Sequence, residues 1–208
     1  MSRLRTRFPD LLPVLALVLL ALIYWSKVLF TGQVLLPGHM LGGFAPFGAE
    51  SNAPWNILQW DGLGQYYPWR FFAAQRLHLG RIPLWNPHQF AGTPFLANGQ
   101  SAVFYPPNLV FWIMDPARAF GWAAFLHTLL AAIGTYFLAR QWNLSRAASL
   151  VAAIAFGFCG YLSAWAMLPT LAETASWLPL TLLLLERSVE EAAPSQRARR
   201  VLLLAVAL

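Results

Sequence analysis

The chain has 208 residues; 58% fall in the apolar and aromatic set and only 11% are charged, against about 25% charged in ordinary soluble domains. With a mean hydropathy of +0.52, this composition excludes a disordered chain, and Cys159, the sole cysteine, excludes a disulfide-stapled domain. A water-soluble fold could not cover so much apolar surface with so few charges, so the expected class is an all-α integral membrane protein, a multi-pass helical bundle.

The net charge of +6 raises nucleic-acid binding as a question, and its distribution answers it. Arg3, Arg5 and Arg7 precede the first apolar run; Arg140 and Arg146 lie between the second and third; Arg187, Arg197, Arg199 and Arg200 follow the fourth. Basic residues on alternate loops follow the positive-inside rule. They predict a cytoplasmic N-terminus, with membrane lipids and no nucleic acid as partners.

In chain order, 1–10 is a basic cytoplasmic segment and 11–30 a first span, long enough at about 1.5 Å per residue to cross a bilayer. No small-x-small cleavage site follows Trp25, so the span is read as uncleaved. Residues 31–115 form a large extracytoplasmic loop punctuated by prolines from Pro37 to Pro107. Short interfacial amphipathic helices are predicted within it at about 69–79, ended by Gly80, and 108–114. Asp115-Pro116 starts a second span over 116–139. An inner loop over 140–146 leads to a third span, 147–166, capped by Ser145 and rich in small residues such as Ala153, Gly157 and Gly160. A fourth covers 169–185, an inner loop 186–200, and 201–208 begins a fifth that is cut short, as in the front part of a longer protein.

Familiar catalytic signatures are absent. Gly62-x-Gly64 is no phosphate-binding loop, and no nucleotide cofactor is expected. His39, His78, His88 and His127 lack metal-ligand spacing. Asn143-Leu-Ser145 matches a glycosylation acceptor on the predicted cytoplasmic side. Polar chemistry concentrates in the loop: Asp61 in Gln59-Trp60-Asp61-Gly62-Leu63-Gly64-Gln65-Tyr66-Tyr67-Pro68, then Pro83-Leu84-Trp85-Asn86-Pro87, Gly92-Thr93-Pro94-Phe95-Leu96-Ala97-Asn98-Gly99-Gln100 and Tyr105-Pro106-Pro107-Asn108.

These loop motifs resemble the N-terminal part of the bacterial YfhO family, membrane proteins of the GT-C glycosyltransferase type. The resemblance runs over about residues 11 to 185. It implies an enzyme that moves a sugar from a polyprenyl-phosphate donor to an extracytoplasmic cell-envelope glycan or polymer. It also implies an acidic active-site residue in the first outer loop, which here is Asp61. Gln59 stands where an Asp-x-Asp pair would have its other carboxylate, leaving a divalent cation open. A positioned carboxylate suits such chemistry as a proton acceptor, and arginine forks suit phosphate.

The expected site is therefore Asp61 as catalytic carboxylate, with Arg70, Arg76, Arg81, Asn86, Asn98, Gln100 and Glu173 as substrate-binding residues. Each has a plainer reading. Asp61-Gly62 is a common turn pair, the arginines suit interfacial anchoring, and the tryptophans suit an aromatic belt. Asn86, Asn98, Gln100 and Asn108 suit side-chain bonds to the loop backbone. Glu173 suits headgroup water, and His127 a helix–helix hydrogen bond. The alternative function is a non-enzymatic transporter or scaffold for lipid-linked sugars. A transporter, however, places its essential polar groups near mid-membrane, where the spans carry few.

Overall fold

A computed structural model describes residues 10–44, 46–48 and 56–190. The basic segment before Asp10, Trp55, residues 191–200 of the expected inner loop and the expected fifth segment at 201–208 lie outside the described residues.

The described chain is mostly helical. It runs through α1 (Leu11–Tyr24), α2 (Ser26–Phe30), α3 (Ile57–Asp61), a π-helical turn (Gly62–Tyr66) and α4 (Tyr67–His78). Two-residue strands β1 (Trp85–Asn86) and β2 (Thr93–Pro94) then pair antiparallel. There follow α5 (Val110–Ile113), α6 (Pro116–Gln141), α7 (Arg146–Gly157), α8 (Gly160–Ala164) and α9 (Pro169–Glu190). Among the described residues, two stretches are long and apolar enough to cross a membrane: Pro116–Gln141 and Arg146–Ala164. α1 is apolar but shorter, and α9 carries Glu173, Ser176 and an internal Pro179.

Local chemistry accounts for the helix ends. Asp115 Oδ1 accepts from the N–H groups of Ala117 and Arg118, at 3.0 and 3.2 Å, as α6 starts. Ser145 Oγ accepts from Ala148 N–H at 3.2 Å to open α7. α4 ends at a left-handed Gly80 (φ +67°). There the N–H groups of Gly80 and Arg81 bond back to the carbonyls of Leu77 and Arg76, the paired closure a glycine permits. The run 11–30, expected as one span, is interrupted at Trp25. The buried Trp25 indole donates to Thr128 Oγ1 at 3.0 Å, meeting a buried indole's need for an acceptor.

The chain divides into two compact units. One comprises residues 10–25, Phe125–Ala164 and 171–190 of the described chain. In its core, Leu17, Ala132, Tyr136 and Ala153 have no exposed surface. Small residues set the helix spacing: a Cβ on Gly157 would lie 2.6 Å from Ala132 Cβ, and one on Gly134 would lie 3.2 Å from Leu180 N. Polar contacts hold the helix ends in register. Trp142 Nε1 donates to Glu186 at 2.8 Å, Arg187 Nε donates to Gln141 Oε1 at 3.0 Å, and Tyr24 Oη donates to Ser163 Oγ at 2.6 Å.

The other unit comprises Ser26–Ala124 and Trp165–Thr170. Its core joins Tyr66, Val110, Phe111, Phe120 and Leu168, and a second cluster joins Phe72, Ala73, Phe95 and Val103. Phe72 meets Phe95 edge-on at 5.0 Å, as Phe111 meets Phe120 at 5.1 Å, and each buried ring contributes about 1.5–3 kcal/mol. The two short helices expected to lie flat in the interface are packed elements of this unit. α4 buries Arg70, Phe72, Ala73 and Ala74, and α5 buries Val110 and Phe111. Their apolar residues find protein partners at close range, which is why they do not stay out as bare ribbons.

Candidate functional site

Asp61 closes α3, whose first turn is capped by Asn56 accepting from Leu58 N–H at 3.0 Å. The backbone then widens, and Tyr67 N–H reaches back to the Gly62 carbonyl. Pro68 is the physical reason. It has no N–H to offer Gly64, and its ring would strike that carbonyl in a regular α-helix; a π-turn moves the carbonyl aside. Little room is left for a side chain on the inside of this turn. A Cβ on Gly62 would stand 3.2 Å from the Met167 carbonyl, and one on Gly64 would stand 2.5 Å from the Trp60 indole nitrogen. That indole is itself stacked on Phe44 at 5.0 Å. Tyr66, at the end of the turn, shares a 2.7 Å hydrogen bond with Thr170 Oγ1.

The Asp61 side chain is exposed, with no hydrogen-bond or ion-pair partner among the described residues. That leaves its carboxylate open to solvent. Nearby in sequence, burial pushes the Tyr67 phenol above its ordinary range, and the Asp115 charge pushes it the same way.

Arg70 departs from both readings of it, as interfacial anchor and as phosphate ligand. It is 3% exposed, donates from Nη1 to the Ser101 carbonyl, and lies over the Phe111 ring at 5.3 Å. Its charge therefore organises the interior of the unit. Asn108, 1% exposed, works beside it, donating from Nδ2 to the Ala102 carbonyl at 2.8 Å. Ala102 is left-handed at φ +44°, so two buried polar side chains hold a tight bend.

The loop amides behave similarly. Asn86 Oδ1 accepts from His88 N–H at 3.0 Å, and Asn98 Oδ1 accepts from Gln100 N–H at 3.1 Å. Both are local turns of the kind Asn favours. Gln100 Oε1 accepts from Gln65 Nε2 at 3.3 Å, linking the π-turn segment to the second half of the loop. Gln89, not singled out from sequence, is a junction: its Oε1 accepts from Trp69 Nε1 at 2.7 Å and from Asn86 Nδ2 at 3.4 Å. The adjacent Trp85-Asn86-Pro87-His88-Gln89 run was its only sequence signal.

Arg76 and Arg81 differ from Arg70. Arg81 is exposed. Arg76 lines an open groove of about 730 Å³ with Phe72, His78, Leu79, Trp85 and His88. Glu173 belongs to the other unit, on α9, and is 8% exposed; Ser176 Oγ donates to its backbone carbonyl at 2.6 Å. It is thus a buried helix residue, and the headgroup-water reading does not hold. His127 is also buried, on α6.

No cluster of three His, Cys, Asp or Glu side chains able to hold a metal ion occurs among the described residues. The loop residues thus sort into a buried frame (Arg70, Asn86, Asn108), local turn formers (Asn98, Gln100) and three accessible polar features, Asp61, Arg81 and the Arg76 groove. No family model, no curated protein and no solved structure matches the chain.

Proposed function

We propose that the chain is part of a multi-pass bacterial inner-membrane glycosyltransferase with a cytoplasmic N-terminus. It acts on a polyprenyl-phosphate sugar and an extracytoplasmic glycan acceptor, with Asp61 as the proton acceptor. The two helices long and apolar enough to cross a membrane support the setting, and the resemblance of the loop motifs to the YfhO family supports the chemistry. The observation that carries the reading is the open carboxylate of Asp61 at a proline-enforced helix break. Local widening of this kind is frequent at functional sites.

In the reaction, the acceptor hydroxyl oxygen bonds to the anomeric carbon as the bond from that carbon to the phosphate oxygen breaks. The electron pair leaves with the lipid phosphate, and Asp61 takes the hydroxyl proton. Gln59 replaces the other carboxylate of an Asp-x-Asp pair, and no metal-holding cluster is present among the described residues, so no step is assigned to a cation.

The test is Asp61→Asn in the protein made from its complete open reading frame. General-base loss predicts a fall in sugar incorporation of about 100-fold or more, at an unchanged amount of protein in the membrane. Undiminished incorporation overturns the assignment.

A further inference from the structure

We propose that the groove beside α4 seats the phosphate of an anionic membrane lipid, while Phe90 and Trp85 enter the apolar boundary next to it. This rests on the membrane setting proposed above and is independent of glycosyl transfer.

The groove selects for an anion. Arg76 stands in its wall, its Nε is shielded from water, and its side chain has no hydrogen-bond or ion-pair partner among the described residues. No acidic residue among the described residues lines the groove. A guanidinium offers a planar fork that matches two phosphate oxygens, and His88 adds an imidazole held edge-on to Phe72 at 5.8 Å. The Trp85 indole, although 55% exposed, is fixed in place. It lies against Gly92, where a Cβ would approach within 2.7 Å.

The rim selects for an apolar medium. Between β1 and β2 the chain turns through Phe90 at φ +51° and Ala91 at φ +59°, a backbone region that bulky residues seldom adopt. The turn leaves the Phe90 ring 91% exposed, and Leu79 and Leu84, both earlier in the chain, are 67% and 62% exposed. A strained turn that presents a phenyl ring to water gains nothing there; observed strain of this kind points to function. A lipid supplies both requirements in one molecule, an acyl boundary for the rim and a phosphate for the groove.

The experiment uses the full-length protein carrying Cys159→Ser and Phe90→Cys, with an environment-sensitive fluorophore on the new thiol. In nanodiscs, lipid-borne spin labels should quench the probe; quenching by aqueous iodide instead overturns the insertion. In detergent, titration with dioctanoylphosphatidylglycerol should shift the emission saturably. Arg76→Gln should raise the apparent Kd about fivefold, as expected for one cation near an anionic lipid, and Arg76→Lys should restore most of it. The same Kd in Arg76→Gln overturns the phosphate seat. An equal shift from inorganic phosphate overturns the lipid as its source and assigns the groove to a soluble anion. Sugar incorporation measured on the same variants separates failure here from failure of the glycosyltransferase reading.

Discussion

The Tyr136 hydroxyl donates to Asp10 Oδ1 at 2.8 Å, joining the start of α1 to the C-terminal part of α6 across 126 positions of sequence. The same carboxylate oxygen lies 3.5 Å from Arg140 Nε and from Arg146 Nε. One acidic residue thus ties together α1, α6 and α7. Tyr136 has no exposed surface, so its hydroxyl has no water to turn to once the partner is lost. A hydrogen bond to a charged group contributes about 1.5–3 kcal/mol, and Tyr136→Phe should lower the thermal unfolding midpoint in detergent accordingly. Asp10→Ala should cost at least as much, because it also strands the two arginines. An unchanged midpoint for both would mean the contact is not formed in solution.

Arg70 leads to a prediction that separates structure from substrate binding. Its guanidinium serves the Ser101 carbonyl and the Phe111 face inside the unit. Arg70→Met should therefore destabilise by about 2 kcal/mol from the lost charged hydrogen bond. Arg70→Lys should not rescue it, since an ammonium lacks the flat face and fork. A variant of normal stability with a raised KM for the sugar donor would return Arg70 to the phosphate ligands.

How far the sequence discloses such features depends on the range of the forces involved. Helix ends are local: Asp115-Pro116, Ser145 and Gly80 act through bonds spanning a few residues, and each can be read from its neighbours. The burial of Arg70 depends on a carbonyl thirty-one positions away, and nothing within its own helix signals that a charge will face inward. The break at Trp25 likewise depends on Thr128. The short pairing of Trp85 with Pro94 escapes a periodicity argument because two residues carry no period. Pro68 is an intermediate case. Its conflict with a regular helix is visible in sequence, but its relief through a π-turn requires the glycines at 62 and 64 to find space against Met167 and Trp60.

Alkaline pH tests the environment of Tyr67. Burial, then the Asp115 charge, raises its phenol above the ordinary value of 10.0, so the folded state holds the neutral form more tightly than the unfolded chain does. The stability this contributes is fully present below pH 10 and is lost as pH rises through the folded-state value. Tyr67→Phe should flatten the alkaline arm of a stability–pH curve and leave the neutral range unchanged. Asp115→Asn should move the tyrosinate absorbance of this residue to lower pH. An alkaline arm unaltered in Tyr67→Phe would place the titration on another group.

Helix spacing in the first unit is set by contact between small residues, and this gives a graded test. Gly157 faces Ala132 so closely that a Cβ would stand 2.6 Å from the alanine Cβ and 3.0 Å from its Cα. Neither atom can rotate away, so relief requires the backbones of α6 and α7 to part. Overpacking of this kind costs about 1–3 kcal/mol. Gly157→Ala should lower the unfolding midpoint and Gly157→Val should lower it further. Gly160 has nothing within 4 Å of its built Cβ, so Gly160→Ala is the matched control and should be close to neutral. If Gly157→Ala and Gly160→Ala were equally mild, the close packing of α7 on α6 through Ala132 would be refuted, because a Cβ at Gly157 must meet Ala132 whereas one at Gly160 meets nothing.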